Sequence, residues 1–171
     1  MKNINKIFAI AIVALGFSTS ALAQSTATAS TTAVLVVPIS VAKTTDMNFG
    51  IVAASATVGT VDLDYANGRT AGGGASLPAG GGTNAKTAVF TVTGQGNRTF
   101  SIAVPVSPIT LTGSVSGTMT VSDFAVSGGL AGTLSSGTAD VLVKAKLNVP
   151  ANAVAGTYTN ASGLFVTVNY N

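Results

Sequence analysis

The chain has 171 residues, with eight Lys or Arg, five Asp, and no Cys, His, Trp or Glu. Thiol nucleophiles, Ser-His-Asp triads, imidazole zinc sites and paired-Glu hydrolysis are therefore excluded together. The formal charge is 8 − 5 = +3, but Lys2 and Lys6 fall in an export signal; the remaining 6 − 5 = +1 is no electrostatic footprint for nucleic acid.

The signal is read from three parts. Lys2 and Lys6 give a positive start, Ile7 to Phe17 is an unbroken apolar run of 11 residues, and Ala21-Leu22-Ala23 is a small-x-small cleavage site. This is the pattern of a secretory signal peptide over 1–23, and the run is too short to span a bilayer as a helix. The expectation is export to the periplasm, outer surface or medium. No later apolar run reaches 18 residues, so no transmembrane anchor is expected after signal removal. Cleavage would leave 171 − 23 = 148 residues. That is one domain, large enough to bury about 68–70% of its unfolded surface without a disulfide or metal.

Residues 24–32 are Ser/Thr/Ala-rich and read as a flexible leader to a single domain over 33–171. Leu35, Val37, Ile39 and Val41 share one strand face, with Pro38 on the other, which marks an edge strand. A short strand follows at Asp46–Val52. Another at Val58–Asp64 ends in the hairpin signal Asn67-Gly68. Two triple-glycine runs make 71–84 a mobile surface loop. Ala88, Phe90 and Val92 alternate before Gly94-Gln95-Gly96-Asn97, and Phe100, Ile102, Val104 and Val106 alternate after it. The reading is strand, turn, strand with one apolar face. Ile109–Leu111 and Thr118–Val126 continue the pattern, with a phase slip that places a bulge near Ser122-Asp123. Gly128-Gly129 and Ser135-Ser136-Gly137 are turns.

Val141, Val143, Ala145, Leu147 and Val149 then share a face opposite Lys144, Lys146 and Asn148. Pro150-Ala151-Asn152 turns the chain. Leu164, Val166, Val168 and Tyr170 form the last strand face. The β-branched composition and turn spacing predict an all-β fold, an antiparallel immunoglobulin-like β-sandwich of about 8–10 strands. A closed barrel is the alternative architecture.

Little chemistry is offered by these residues. Asp62 and Asp64 share a strand face in a spacing that resembles a calcium loop. Asn67 is one place late, however, and the twelfth position is Gly73 rather than Glu, so a solvated strand end is the expectation and no metal or cofactor is assigned. Nor does a dry cleft surround the two aspartates to make them an acid–base pair. The glycine runs lack the G-K-[ST] of a phosphate loop. Lys144 and Lys146 read as a solvated sheet face. Tyr65 could stack on a sugar ring, whereas Tyr158 and Tyr170 are expected to cap core faces with their hydroxyls at the rim. No enzymatic activity is predicted.

Two stretches are more specific than a generic strand. One is Asp46-Met47-Asn48-Phe49-Gly50. The other is Pro150-Ala151-Asn152 with Ala155-Gly156-Thr157-Tyr158-Thr159 and Val166-Thr167-Val168-Asn169-Tyr170. With Phe90-Thr91-Val92-Thr93-Gly94 they resemble the bacterial domain of unknown function family 4402, over roughly residues 33–170. The G-T-Y-T turn and the C-terminal strand are also similar to spore-coat-U-type proteins and chaperone–usher pilins. That resemblance implies an exported structural protein, in which Leu35, Val37, Ile39 and Val41 would be donated to a neighbour by β-strand addition and Leu164–Tyr170 would be a second interaction strand. The missing disulfide departs from many pilins. The bland alternative is that Leu35–Val41 is the first strand of a self-contained sandwich. The partner would be the chain itself or related subunits; a fimbria-like subunit is one form of this. A secreted carbohydrate-type binding module using 71–84 and Tyr65 is the alternative function.

Overall fold

The computed structural model describes residues 24–171. The signal read at 1–23 lies outside the described residues. Residues 24–34 are exposed and carry no strand, and Leu35–Asn171 form one compact unit.

Every regular element among the described residues is a strand. They are β1 (Ser40–Thr45), β2 (Gly59–Leu63), β3 (Arg69–Gly73), β4 (Ala88–Thr93), β5 (Thr99–Ala103), β6 (Ile109–Gly113), β7 (Thr118–Val126), β8 (Ala131–Thr133), β9 (Thr138–Val149), β10 (Tyr158–Thr159) and β11 (Thr167–Tyr170). All pairings are antiparallel. The count exceeds the expected 8–10 only through short additions such as the two-residue β10.

The 12-residue β9 is the spine of an eight-stranded sheet. On one edge β4 pairs with its first half, Ala88↔Val143 to Thr93↔Thr138, and β2 with its second, Leu63↔Ala145 to Gly59↔Val149. β7 takes the other edge. As the alternation predicts, Val141, Val143, Ala145, Leu147 and Val149 are all buried. Each Val or Leu so buried contributes about 1.5–3 kcal/mol relative to exposure. β7 slips by one residue between Ser122 and Ala125, with Asp123 at φ +56°. The extra residue moves the inward positions from Met119 and Val121 to Phe124 and Val126, which is the phase slip seen in the sequence.

A second sheet runs β11-β5-β8. It packs on the first through a core of Phe90, Val92, Phe100, Ile102, Leu134, Val141, Val143, Val166 and Val168, so the two sheets form a sandwich. A second core cluster lies under the other half of the large sheet, between Val61, Leu63, Val121, Leu147, Val149 and the loop residues Phe49, Ala75 and Ala85. There, loops close the core in place of a sheet.

Several expectations need correction. β4 and β5 do not pair with each other: β4 lies between β1 and β9, and β5 between β11 and β8. The 94–98 link is an arch between sheets, and the two apolar faces meet across the core. Asp46–Val52 is not a strand but a chain held by isolated bridges, Asn48↔Lys86 and, just beyond it, Ala53↔Ser76. The 71–84 segment begins inside β3 and is then tied down through Ala53↔Ser76 and a hydrogen bond from the Ile51 N–H to the Gly81 carbonyl. The β2–β3 hairpin does not turn on two residues at Asn67-Gly68; Asp64 pairs with Gly68, and Asn67 alone is left-handed, at φ +66°. That is a three-residue loop. Ser136 and Gly137 do make a tight two-residue turn, both at positive φ, closed by paired Ser135–Thr138 hydrogen bonds.

Candidate functional site

The N-terminal face predicted at Leu35, Val37, Ile39 and Val41 is split in the structure. The strand begins only at Ser40. Ile39 and Val41 are half-buried and pack on the first core cluster, while Leu35 is 99% and Val37 55% exposed. Val36 is half-buried instead. Pro38 stands where the phase changes. Lacking an N–H, it cannot carry a ladder across that point.

The C-terminal face stays together. Val166 and Val168 are buried, and Leu164 and Tyr170 pack beside them. Among the described residues β11 pairs only with β5, through Thr167↔Ala103 to Tyr170↔Phe100, so its other edge is open. The Tyr170 hydroxyl does sit at the rim. It accepts the Gln95 N–H at 2.5 Å and donates to the Val37 carbonyl at 2.8 Å. The Tyr158 hydroxyl donates to the Val154 carbonyl at 2.7 Å, but its ring packs on neither core cluster.

Asp62 and Asp64 have different partners. The Asp64 carboxylate accepts the N–H groups of Ala66 at 2.8 Å and Gly68 at 2.6 Å, so it shapes its own turn. Asp62 lies 3.6 Å from Lys146, which also meets Asp123 at 3.0 Å. No cluster of three metal-binding side chains occurs among the described residues. The calcium-like spacing thus encodes a hairpin turn. Lys144 lies over the Tyr65 ring, 5.2 Å from its centre, so the ring proposed for sugar stacking is partly covered.

The sequence carried no sign of the Asp62–Lys146–Asp123 group, because Asp123 reaches it only through the bulge. Its hydrogen bond to Asp123, then the charges of Asp62 and Asp123, hold the Lys146 amine above its ordinary value of 10.5. A raised lysine pKa contributes stability that is complete below the unfolded value and is lost as pH rises through the folded one. The expected result is an alkaline decline in melting temperature beginning above pH 10.5. Asp123→Asn should leave its onset in place and make the decline smaller and complete at lower pH, because only the folded value falls. Asn tolerates the left-handed backbone at this position, so the substitution isolates the charge. A pH series of thermal melts checks it; superimposable alkaline limbs would refute the coupling.

The feature with the least sequence signal is a cleft of about 1100 Å³ over the second core cluster. Leu111, Met119, Val121 and Phe124 line it, with the 43–54 and 153–161 segments alongside. It exists because the three-stranded sheet covers only part of the eight-stranded one. Its charged residues, Lys43 and Asp46, pair with each other at 2.6 Å. A smaller cleft of about 400 Å³ includes Thr60, Gly72, Gly73, Thr120 and Asn148. Tyr65 lines neither.

No helix among the described residues is long and apolar enough to cross a membrane. The fold is thus an antiparallel all-β sandwich with an unpaired apolar segment at its start and an open edge at its last strand. Residues 39–170 match the family described as "Domain of unknown function (DUF4402)", and the chain belongs to that family. No curated protein and no solved structure matches it.

Proposed function

We propose that this is an exported, non-enzymatic structural protein that assembles with copies of itself or related subunits by β-strand addition. Of the predicted face Leu35, Val37, Ile39 and Val41, the donor is the part before β1, at Leu35 and Val37, since Ile39 packs on its own core and Val41 is already laddered to β4. The acceptor is the open edge of β11, in an immunoglobulin-like, fimbria-like arrangement. One observation carries this reading: Leu35 lies bare and Val37 about half exposed beside a strand, with no ladder partner for residues 35–39 among the described residues. A row of apolar side chains left in water beside an unpaired edge favours pairing with another chain.

The test compares protein starting at Gln24 with protein starting at Ile39, by size-exclusion chromatography with light scattering. The shorter form keeps all of β1. The expected result is concentration-dependent oligomers from the first and monomer from the second. Leu35→Asp with Val37→Asp should weaken association at least about 100-fold, since each loses the burial of one aliphatic side chain. A longer form that stays monomeric up to millimolar concentration would refute the proposal.

A second reading, a secreted ligand-binding module, is supported by the 1100 Å³ cleft rather than by Tyr65. Polar groups at Asn48, Thr157 and Asn160 stand beside its apolar residues. A glycan array with no binding above background, together with no shift of cleft resonances in the bound pool, would dispose of it.

A further inference from the structure

We infer that Tyr170 is a latch that holds Leu35–Ile39 on its own domain, and that opening it frees this segment as far as the start of β1. A tyrosine hydroxyl has one proton to give. The Gln95 N–H can only donate, so that proton goes to the Val37 carbonyl. This is the one hydrogen bond to the backbone of residues 35–39 recorded among the described residues. The hydroxyl is fixed on its other side as well. Gly94 lies so close that any Cβ there would collide with it. Its ring rests on the first core cluster. The latch is thus rigid, and the strap it holds is weakly attached.

The attachment ends sharply at Ser40. From there β1 is laddered to β4 from Ser40↔Thr93 onward, with side-chain hydrogen bonds Ser40–Thr93 at 2.8 Å and Thr44–Thr91 at 2.9 Å. Before it stand Pro38, which has no N–H, and Ile39, the last side chain of the strap packed on the core. Release therefore costs one hydrogen bond and a few half-buried contacts, and leaves the sandwich intact. The latch is a property of the single chain; what the freed segment then pairs with rests on the assembly reading above.

Tyr170→Phe keeps the ring and removes the hydroxyl, so the Gln95 bond is lost with the Val37 bond, but only the Val37 bond holds the strap. Losing one such bond should raise the open population about fivefold. The rate of elastase cleavage at Val36–Val37 should rise by that factor, and the heteronuclear NOE of Leu35 to Val37 should fall, while the melting temperature stays within a few degrees. Unchanged cleavage and unchanged NOE would overturn the latch. If Tyr170→Phe fails to fold, the wild-type protein decides. A protected Tyr170 hydroxyl proton with an NOE to residues 37–38 supports the latch, and its absence overturns it. The two proposals fail separately. Faster cleavage in a chain that never oligomerises keeps the latch and removes the assembly reading. Unchanged cleavage in a chain that does oligomerise removes the latch alone.

Discussion

Phe100→Ala should lower the stability of the domain by about 3–5 kcal/mol, a large share of the ~5–15 kcal/mol typical of a single domain. Phe100 is 1% exposed and sits in the central strand of the three-stranded sheet. It pairs with Tyr170 on one side and Gly132 on the other. Its ring lies over Gly132: a Cβ there would come within 2.5 Å of Cζ and 2.9 Å of Cε1. The aromatic thus fills the gap its glycine neighbour leaves, as happens where a ring shields a glycine across a strand pair. It also faces Phe90, Val92 and Leu134 in the first core cluster. Removing it opens a cavity that few elements can close, because β8 has three residues and β11 four. The midpoint of a urea transition should fall while its slope holds. Gly132→Ala should cost less, about 1–3 kcal/mol, by forcing the ring off its place. A Phe100→Ala loss below ~1 kcal/mol would mean that the small sheet contributes little to the fold.

The alternation of β9 was legible because one face is wholly buried, and a period of two then reports which side chains go in. The slip at Ser122-Asp123 was legible for the same reason: a bulge changes that period once. The pairing of strands was not. Phe90 and Val92 alternate identically whether β4 lies beside β5 or opposite it, so the arch at 94–98 read as a hairpin. The face at Leu35 to Val41 failed at Pro38, where a chain leaving a ladder no longer obeys the pleat. The C-terminal face could be read from the alternation of Leu164, Val166, Val168 and Tyr170. The cleft could not, since its segments at 43–54 and 153–161 are mostly irregular chain with no period. What places them is a set of long-range hydrogen bonds, and one residue of β3 makes two of these.

Arg69→Leu should loosen that region at a cost of about 2–4 kcal/mol, the loss of two hydrogen bonds from a charged donor. Arg69 opens β3, and its Nη1 donates to the carbonyls of Phe49 at 2.7 Å and Ile51 at 2.8 Å. Gly50, between them, is at φ +67° and lies against the guanidinium; Gly82 packs against it from the opposite segment. The side chain therefore joins 49–51 to the end of the glycine-rich segment, where the Ile51 N–H also bonds the Gly81 carbonyl at 2.8 Å. No carboxylate is recorded with it among the described residues; carbonyl oxygens do the work of an anion. Hydrogen exchange should show faster loss at Ile51, Ala53 and Ser76 in Arg69→Leu, with protection in β4 and β9 unchanged. Lysine should restore it only in part: one ammonium can meet the two carbonyls that Nη1 meets, but it lacks the planar group that lies against Gly50 and Gly82. If exchange at Ile51 is untouched, the bridges Asn48↔Lys86 and Ala53↔Ser76 hold the segment without help. If it rises as expected, a single half-buried arginine holds the 49–51 wall of the cleft. Ligand binding there should then weaken in Arg69→Leu while oligomerisation through Leu35 and Val37 does not.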